Sequence, residues 1–249
     1  FLKKGRMRFT RRYMKPVGRV WYKIFSLGIS SGITALVACI MQVVMNNSLV
    51  YYGNQTEITG DVALSAMGIV MKIAMILASV CIGFGIGAQP ILGFNLGAKK
   101  YARVRHTYLL AVSIATASIL IGWAVCQLAP HLVLSLFGKE NQTFTDFAVR
   151  CLRIYLGGIF CAGFQIVSTN YFQATGQPLK ASLLSMLRQL ILLIPMLLIL
   201  PLFFGLNGLL YAGPCADIGS AVIVALFILP EMRKLNRKIA ESQGHALAA

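Results

Sequence analysis

Apolar residues gather into six long runs: Leu27–Val50, Val62–Leu92, Tyr108–Leu128, Phe147–Ala174, Leu183–Phe204 and Leu209–Leu229. Each is long enough to cross the hydrocarbon core of a bilayer, which takes about 20 residues of helix. Lipid offers backbone amides no partner, so a spanning segment must satisfy them internally, as a helix does. Strands of a membrane barrel would alternate polar and apolar over about ten residues, and none of the six runs alternates. The pattern predicts an all-α integral membrane protein with six transmembrane helices.

Composition removes the main rival. Of 249 residues, 57% are hydrophobic and 12% charged, against about 25% charged in soluble chains. The mean hydropathy is +0.74. A soluble fold of this length could not bury that much apolar surface. The formal charge of +16 would suggest nucleic acid in a soluble chain. Here the cations bracket the apolar runs, which suits membrane orientation instead. The cysteines, Cys39, Cys81, Cys126, Cys151, Cys161 and Cys215, lie in or beside these runs with no metal or redox spacing. They read as small, reduced core side chains.

Lys and Arg assign the sides. Residues 1–25 carry nine: Lys3, Lys4, Arg6, Arg8, Arg11, Arg12, Lys15, Arg19 and Lys23. Lys99, Lys100, Arg103 and Arg105 follow the second run, Lys180 the fourth, and Arg233, Lys234, Arg237 and Lys238 the sixth. The opposite side has only Lys139, Arg150 and Arg153. Both termini are expected in the cytoplasm, and an even number of spans requires them to share a side. Residues 1–25 form a basic connector, expected as an amphipathic surface helix with Phe9, Tyr13, Val17 and Val20 at helical spacing. Residues 26–230 form the six-helix lobe and 231–249 a basic tail. No cleavable signal peptide is expected. The triplets starting at Asn54 and Asn141 read as chance glycosylation motifs.

Polar groups inside spans are costly and point to function. Asp217 lies about 12 Å into the sixth run at 1.5 Å per residue. Pro214, three residues earlier, removes a backbone donor beside it. Asp217 is the ion-coupling or proton candidate. Lys72, in the second run, is its possible charge partner, and Arg188 is expected to reach back to the cytoplasmic edge. Gln42 and Asn46 in the first run, and Gln165, Thr169, Asn170 and Gln173 in the fourth, are candidates to line a cavity. Gly85, Gly87 and Pro90 in the second run, with Pro214, are candidate hinges. No enzyme signature is visible: His106, His131 and His245 fall in connections or the tail. No metal site and no cofactor are expected.

Four segments together resemble the multidrug and toxic compound extrusion (MATE) family. They are Gly87-Ala88-Gln89-Pro90-Ile91-Leu92-Gly93-Phe94-Asn95-Leu96-Gly97-Ala98 with the basic residues after it, Tyr171–Pro178, Arg188–Pro195, and Gly205–Asp217. The resemblance runs from about the first span to the tail. It implies the C-terminal six-helix lobe of a twelve-helix transporter, with an N-terminal lobe as its missing partner. It also implies export of cationic or amphipathic drugs by alternating access, exchanged for Na⁺ or H⁺, in a bacterial plasma membrane. Some members bind the coupling cation through acids on the first and fourth helices of this lobe, and those runs hold no Asp or Glu here. Others use an Asp of the N-terminal lobe. Pro214-x-x-Asp217 is the acidic motif that carries over. A lipid-linked-sugar flippase of the same superfamily is the alternative, with a non-transporting scaffold behind it. A flippase cavity should be more cationic, to hold pyrophosphate.

Overall fold

A computed structural model describes residues 18–56, 58–138 and 142–247. Six helical spans cross the fold, with lengths and hydropathies that suit a bilayer. The expected surface helix of residues 1–25 falls largely outside the described residues. Helix α1 covers Gly18–Gly53, α2 Gly60–Gly97 and α3 Tyr101–Leu128. A short helix α4, Pro130–Ser135, lies in the next connection. The fourth span is composite: α5 Gln142–Tyr155, a 3₁₀ segment Leu156–Cys161, and α6 Ala162–Ala174. So is the fifth: α7 Pro178–Met186, a π-helical segment Leu187–Leu193, and α8 Ile194–Phe204. Helix α9, Leu206–Leu247, forms the sixth.

Several helices outrun the apolar runs that predict them. Helix α2 has 38 residues, about 57 Å at 1.5 Å per residue, nearly twice the hydrocarbon thickness of about 30 Å. Helix α9 continues through Pro230, so the expected lobe–tail boundary leaves no break in the backbone.

The turns between spans follow local chemistry. At the end of α6 the Gln177 amide donates to the Phe172 carbonyl at 2.9 Å and the Gly176 amide to Gln173 at 3.2 Å. This is a Schellman closure, and it needs a left-handed residue, supplied by Gly176 at φ 76°. Pro178 then opens α7, where its missing amide proton is no loss. At the end of α2 the same pattern places Lys99 at φ 56°, a conformation costing a non-glycine residue about 1–2 kcal/mol.

Small residues let the spans approach closely, as membrane helices require without a hydrophobic force between them. Ala63, Ala66, Ala115, Ala148, Ala212 and Ala216 are buried between helices. A Cβ on Gly163 would lie 2.9 Å from Thr116 Cα on α3. The Gly157-Gly158 pair shows how local the constraint is. A Cβ on Gly158 would meet Pro214 Cα at 2.7 Å, whereas one on Gly157 would find Pro214 Cγ at 3.7 Å, ordinary contact. Large apolar side chains such as Leu36, Met75, Ile121 and Phe203 remain exposed, as lipid or a further protein lobe would require.

The cysteine expectation holds for part of the set. Cys81, Cys126 and Cys151 are buried, but Cys39 and Cys215 are exposed; all six are free. The exposed pair lies on faces of α1 and α9 with no neighbouring span to cover them.

Candidate functional site

Two backbone irregularities and a proline meet around one carboxylate. The 3₁₀ segment of span four carries Gly158, whose missing side chain admits Asp217: a Cβ there would sit 3.0 Å from Asp217 Cβ. The π segment of span five carries Arg188. Pro195, just after it, lacks an amide proton and its ring crowds the carbonyl four residues back, at Ile191 inside the π segment. That gives a local reason for the helix to widen there. Such single-turn widenings recur at functional sites. In span six, α9 passes Pro214 one turn before Asp217.

Arg188 and Asp217 form an ion pair. The guanidinium donates from Nε at 2.8 Å and from Nη2 at 2.5 Å, and both bonds fall on Asp217 Oδ1. The arrangement leaves Oδ2 outside the pair. The Asp217 side chain is 6% exposed and that of Arg188 34%. Ser220 Oγ donates to the Asp217 backbone carbonyl at 3.0 Å. The Tyr155 ring lies against Gly213, close enough that a Cβ there would meet it at 2.7 Å. On the π segment, Gln189 Oε1 is buried without a hydrogen-bond donor.

This corrects two expectations. The partner of Asp217 is Arg188, not Lys72. Helix α2 packs chiefly on spans one, three and four, while α9 packs on spans four and five, and Lys72 is on an exposed face of α2. Nor does Arg188 reach back to the cytoplasmic edge. Span five begins at Pro178, five residues before the apolar run, so Arg188 lies about 15 Å in rather than about 7 Å. At that depth a carboxylate is the nearer solution.

The amide candidates separate into three environments. Gln42, exposed on α1, donates to Asn46 Oδ1 at 3.2 Å. Gln165 is buried inside the lobe at 7% exposure. Thr169 turns its hydroxyl onto the Gln165 carbonyl at 2.9 Å. Asn170 and Gln173 do face another polar group: Gln89 Nε2 donates to Asn170 Oδ1 at 2.7 Å and to Gln173 Oε1 at 3.1 Å. Gln89 belongs to the motif around Pro90 but was absent from the cavity candidates. Its place four residues after Gly85, one turn along the same helix face, is the signal the sequence offers. Through Pro90 helix α2 stays continuous, and Gly87 is exposed with open space beside it. Among the described residues no group of three His, Cys, Asp or Glu side chains is placed to hold a metal.

The MatE family model matches residues 34–199. The multidrug export protein MepA of Staphylococcus haemolyticus is 25% identical over 229 residues, covering 90% of this chain and 47% of that protein. MepA of Staphylococcus aureus strain NCTC 8325 is 25% identical over 214 residues, covering 86% and 45%. The chain thus spans about half the length of the curated relatives it matches. Among solved structures, the outward-facing conformation of a multidrug resistance MATE transporter of the MOP superfamily aligns with a TM-score of 0.78. The inward-facing conformation aligns at 0.79. Both are 19% identical, and each alignment covers 92% of this chain and about half of the other.

Proposed function

The chain belongs to the MatE family of membrane transporters, which are not enzymes, and on that premise we propose that it forms the C-terminal half of a secondary multidrug exporter. The half-length match to proteins named for multidrug export supports this. In the proposed cycle the lobe moves against an N-terminal six-helix lobe, opening a shared cavity to each side in turn. Its fold aligns equally well with outward- and inward-facing relatives, which suits a lobe that moves as a unit. Cationic or amphipathic drugs leave in exchange for Na⁺ or H⁺.

The observation that carries the coupling role is the half-buried Arg188–Asp217 pair where the 3₁₀ segment of span four, the π segment of span five and Pro214 of span six meet. Arg188 acts as a tethered cation on the carboxylate. A coupling cation must take its place or share Oδ2, and releasing the guanidinium frees span five from span six. Because Asp217 neutralises Arg188, the site offers no free guanidinium to a pyrophosphate, which favours drug export over a lipid-linked-sugar flippase.

Both termini are assigned to the cytoplasm by the asymmetry of Lys and Arg. A membrane-impermeant thiol reagent added outside should label Gly53→Cys and spare Lys100→Cys; the reverse pattern would overturn the orientation. Export itself is tested in efflux-deficient bacteria loaded with a lipophilic cationic dye. The chain alone should leave dye accumulation unchanged, and co-expression with a six-helix N-terminal half of the family should lower it severalfold. Export by the chain alone, or none by two halves both inserted in the membrane, would reject the reading.

A further inference from the structure

Where α3 and α9 leave the membrane on the Lys- and Arg-rich side, two basic segments meet. They are distant in sequence and the fold brings them together. Lys238 Nζ stands 5.4 Å from the centroid of the Tyr101 ring, which fixes the register between the two helices. As third and sixth spans they run antiparallel. Four residues on from Tyr101 is Arg105, and four residues back from Lys238 is Lys234, so one turn places these two cations across from each other. The seam beneath them is apolar: Val104 and Leu235 are buried and Ile239 is half-buried. Lys99 and Lys100 stand at the head of α3.

The available carboxylates do not answer this charge. Only Glu231 and Glu241 of the chain's seven acidic residues lie near this end. Glu231 accepts from Gln177 Nε2 at 3.0 Å, and Glu241 pairs with Arg237 at 2.9 Å. Among the described residues no ion pair engages Arg105, Lys234 or Lys238. Like charges held together by an apolar seam repel unless an anion lies between them. Topology alone asks only that cations lie on this side; it does not ask that they converge.

We propose that Arg105, Lys234 and Lys238 bind the phosphate-bearing headgroup of an anionic membrane lipid. The height of the site selects a lipid over other anions. Arg105 precedes its apolar run by three residues, and Lys234 and Lys238 follow theirs by five and nine, about 4, 8 and 14 Å of helix, and such long side chains reach back toward the headgroup phosphates. Below them Phe227, seven residues before Lys234 and eleven before Lys238 and so on the same face of α9, offers exposed apolar surface for an acyl chain. Basic clusters between helix ends on this side of a membrane attract such headgroups. The inference needs only a membrane-spanning chain and stands apart from the export reading.

The test is native mass spectrometry of the detergent-solubilised chain titrated with phosphatidylglycerol or phosphatidylcholine. The wild type should retain phosphatidylglycerol selectively. Arg105→Gln/Lys238→Gln should weaken that binding about tenfold or more. Arg103→Gln/Arg233→Gln makes the same change in net charge on faces turned away from the seam, and should leave affinity within about threefold. Equal weakening by both doubles would mean diffuse surface attraction and overturn the site. So would equal binding of phosphatidylcholine, or displacement of bound lipid by millimolar inorganic phosphate. If the first double does not fold, Lys238→Gln alone decides, with retention of full selectivity as the overturning result.

Discussion

Arg188→Met should lower the stability of the lobe by about 3–5 kcal/mol, the usual result of removing one member of a buried ion pair. The asymmetry of burial makes this the sharper half of a cycle. Asp217 is enclosed at 6% exposure, while the Arg188 side chain keeps 34%. Without Arg188 the carboxylate loses both bonds on Oδ1, and among the described residues no other cation pairs with it. Without Asp217 the long guanidinium side chain can shift toward water. Asp217→Asn should therefore cost less, about 1–3 kcal/mol. The double change Arg188→Met/Asp217→Leu removes both charges and should recover most of the loss, since apolar replacement of a buried pair is often neutral. Denaturant unfolding in micelles, followed by circular dichroism, measures all three. A neutral Arg188→Met, or a double no better than the worse single, would show that the pair does not hold spans five and six together. Lys72→Met, on an exposed face of α2, should change stability by less than about 0.5 kcal/mol.

How far the sequence carried depends on what each feature requires. Six spans were legible because lipid forces long apolar helices and nothing else in the chain competes with them. Gly176 and Gly205, both at positive φ, mark the ends of spans four and five as glycines before a new helix often do. Span lengths exceed the apolar runs, because helix continues past the run wherever Lys, Arg and Gln side chains can reach water. The difference decides the depth of Arg188: a span starting at Leu183 leaves it near the edge, where snorkelling suffices, and one starting at Pro178 does not. Asp217 was legible alone, as a costly residue beside a proline. Its partner was not, since pairing depends on which spans touch, and spacing along one chain does not reveal neighbours in a bundle. The 3₁₀ and π segments had partial signals in Gly157-Gly158 and Pro195. Neither signal says which way a helix tightens or widens.

In the assembled transporter, Asp217→Asn should reduce dye export to the level of cells lacking it, at wild-type abundance in the membrane. Asparagine keeps the shape and an acceptor but cannot hold a cation by charge or exchange a proton. The difficulty is that the same change weakens a structural contact, so loss of export alone would not separate the two roles. The double Arg188→Met/Asp217→Leu separates them. If the pair only fastens spans five and six, the double restores folding and should restore export with it. If Asp217 couples export to an ion, the double restores folding and leaves export at background, because the carboxylate is still absent. Export in the double at half the wild-type rate or more would remove Asp217 from the coupling mechanism and assign that role to the other lobe.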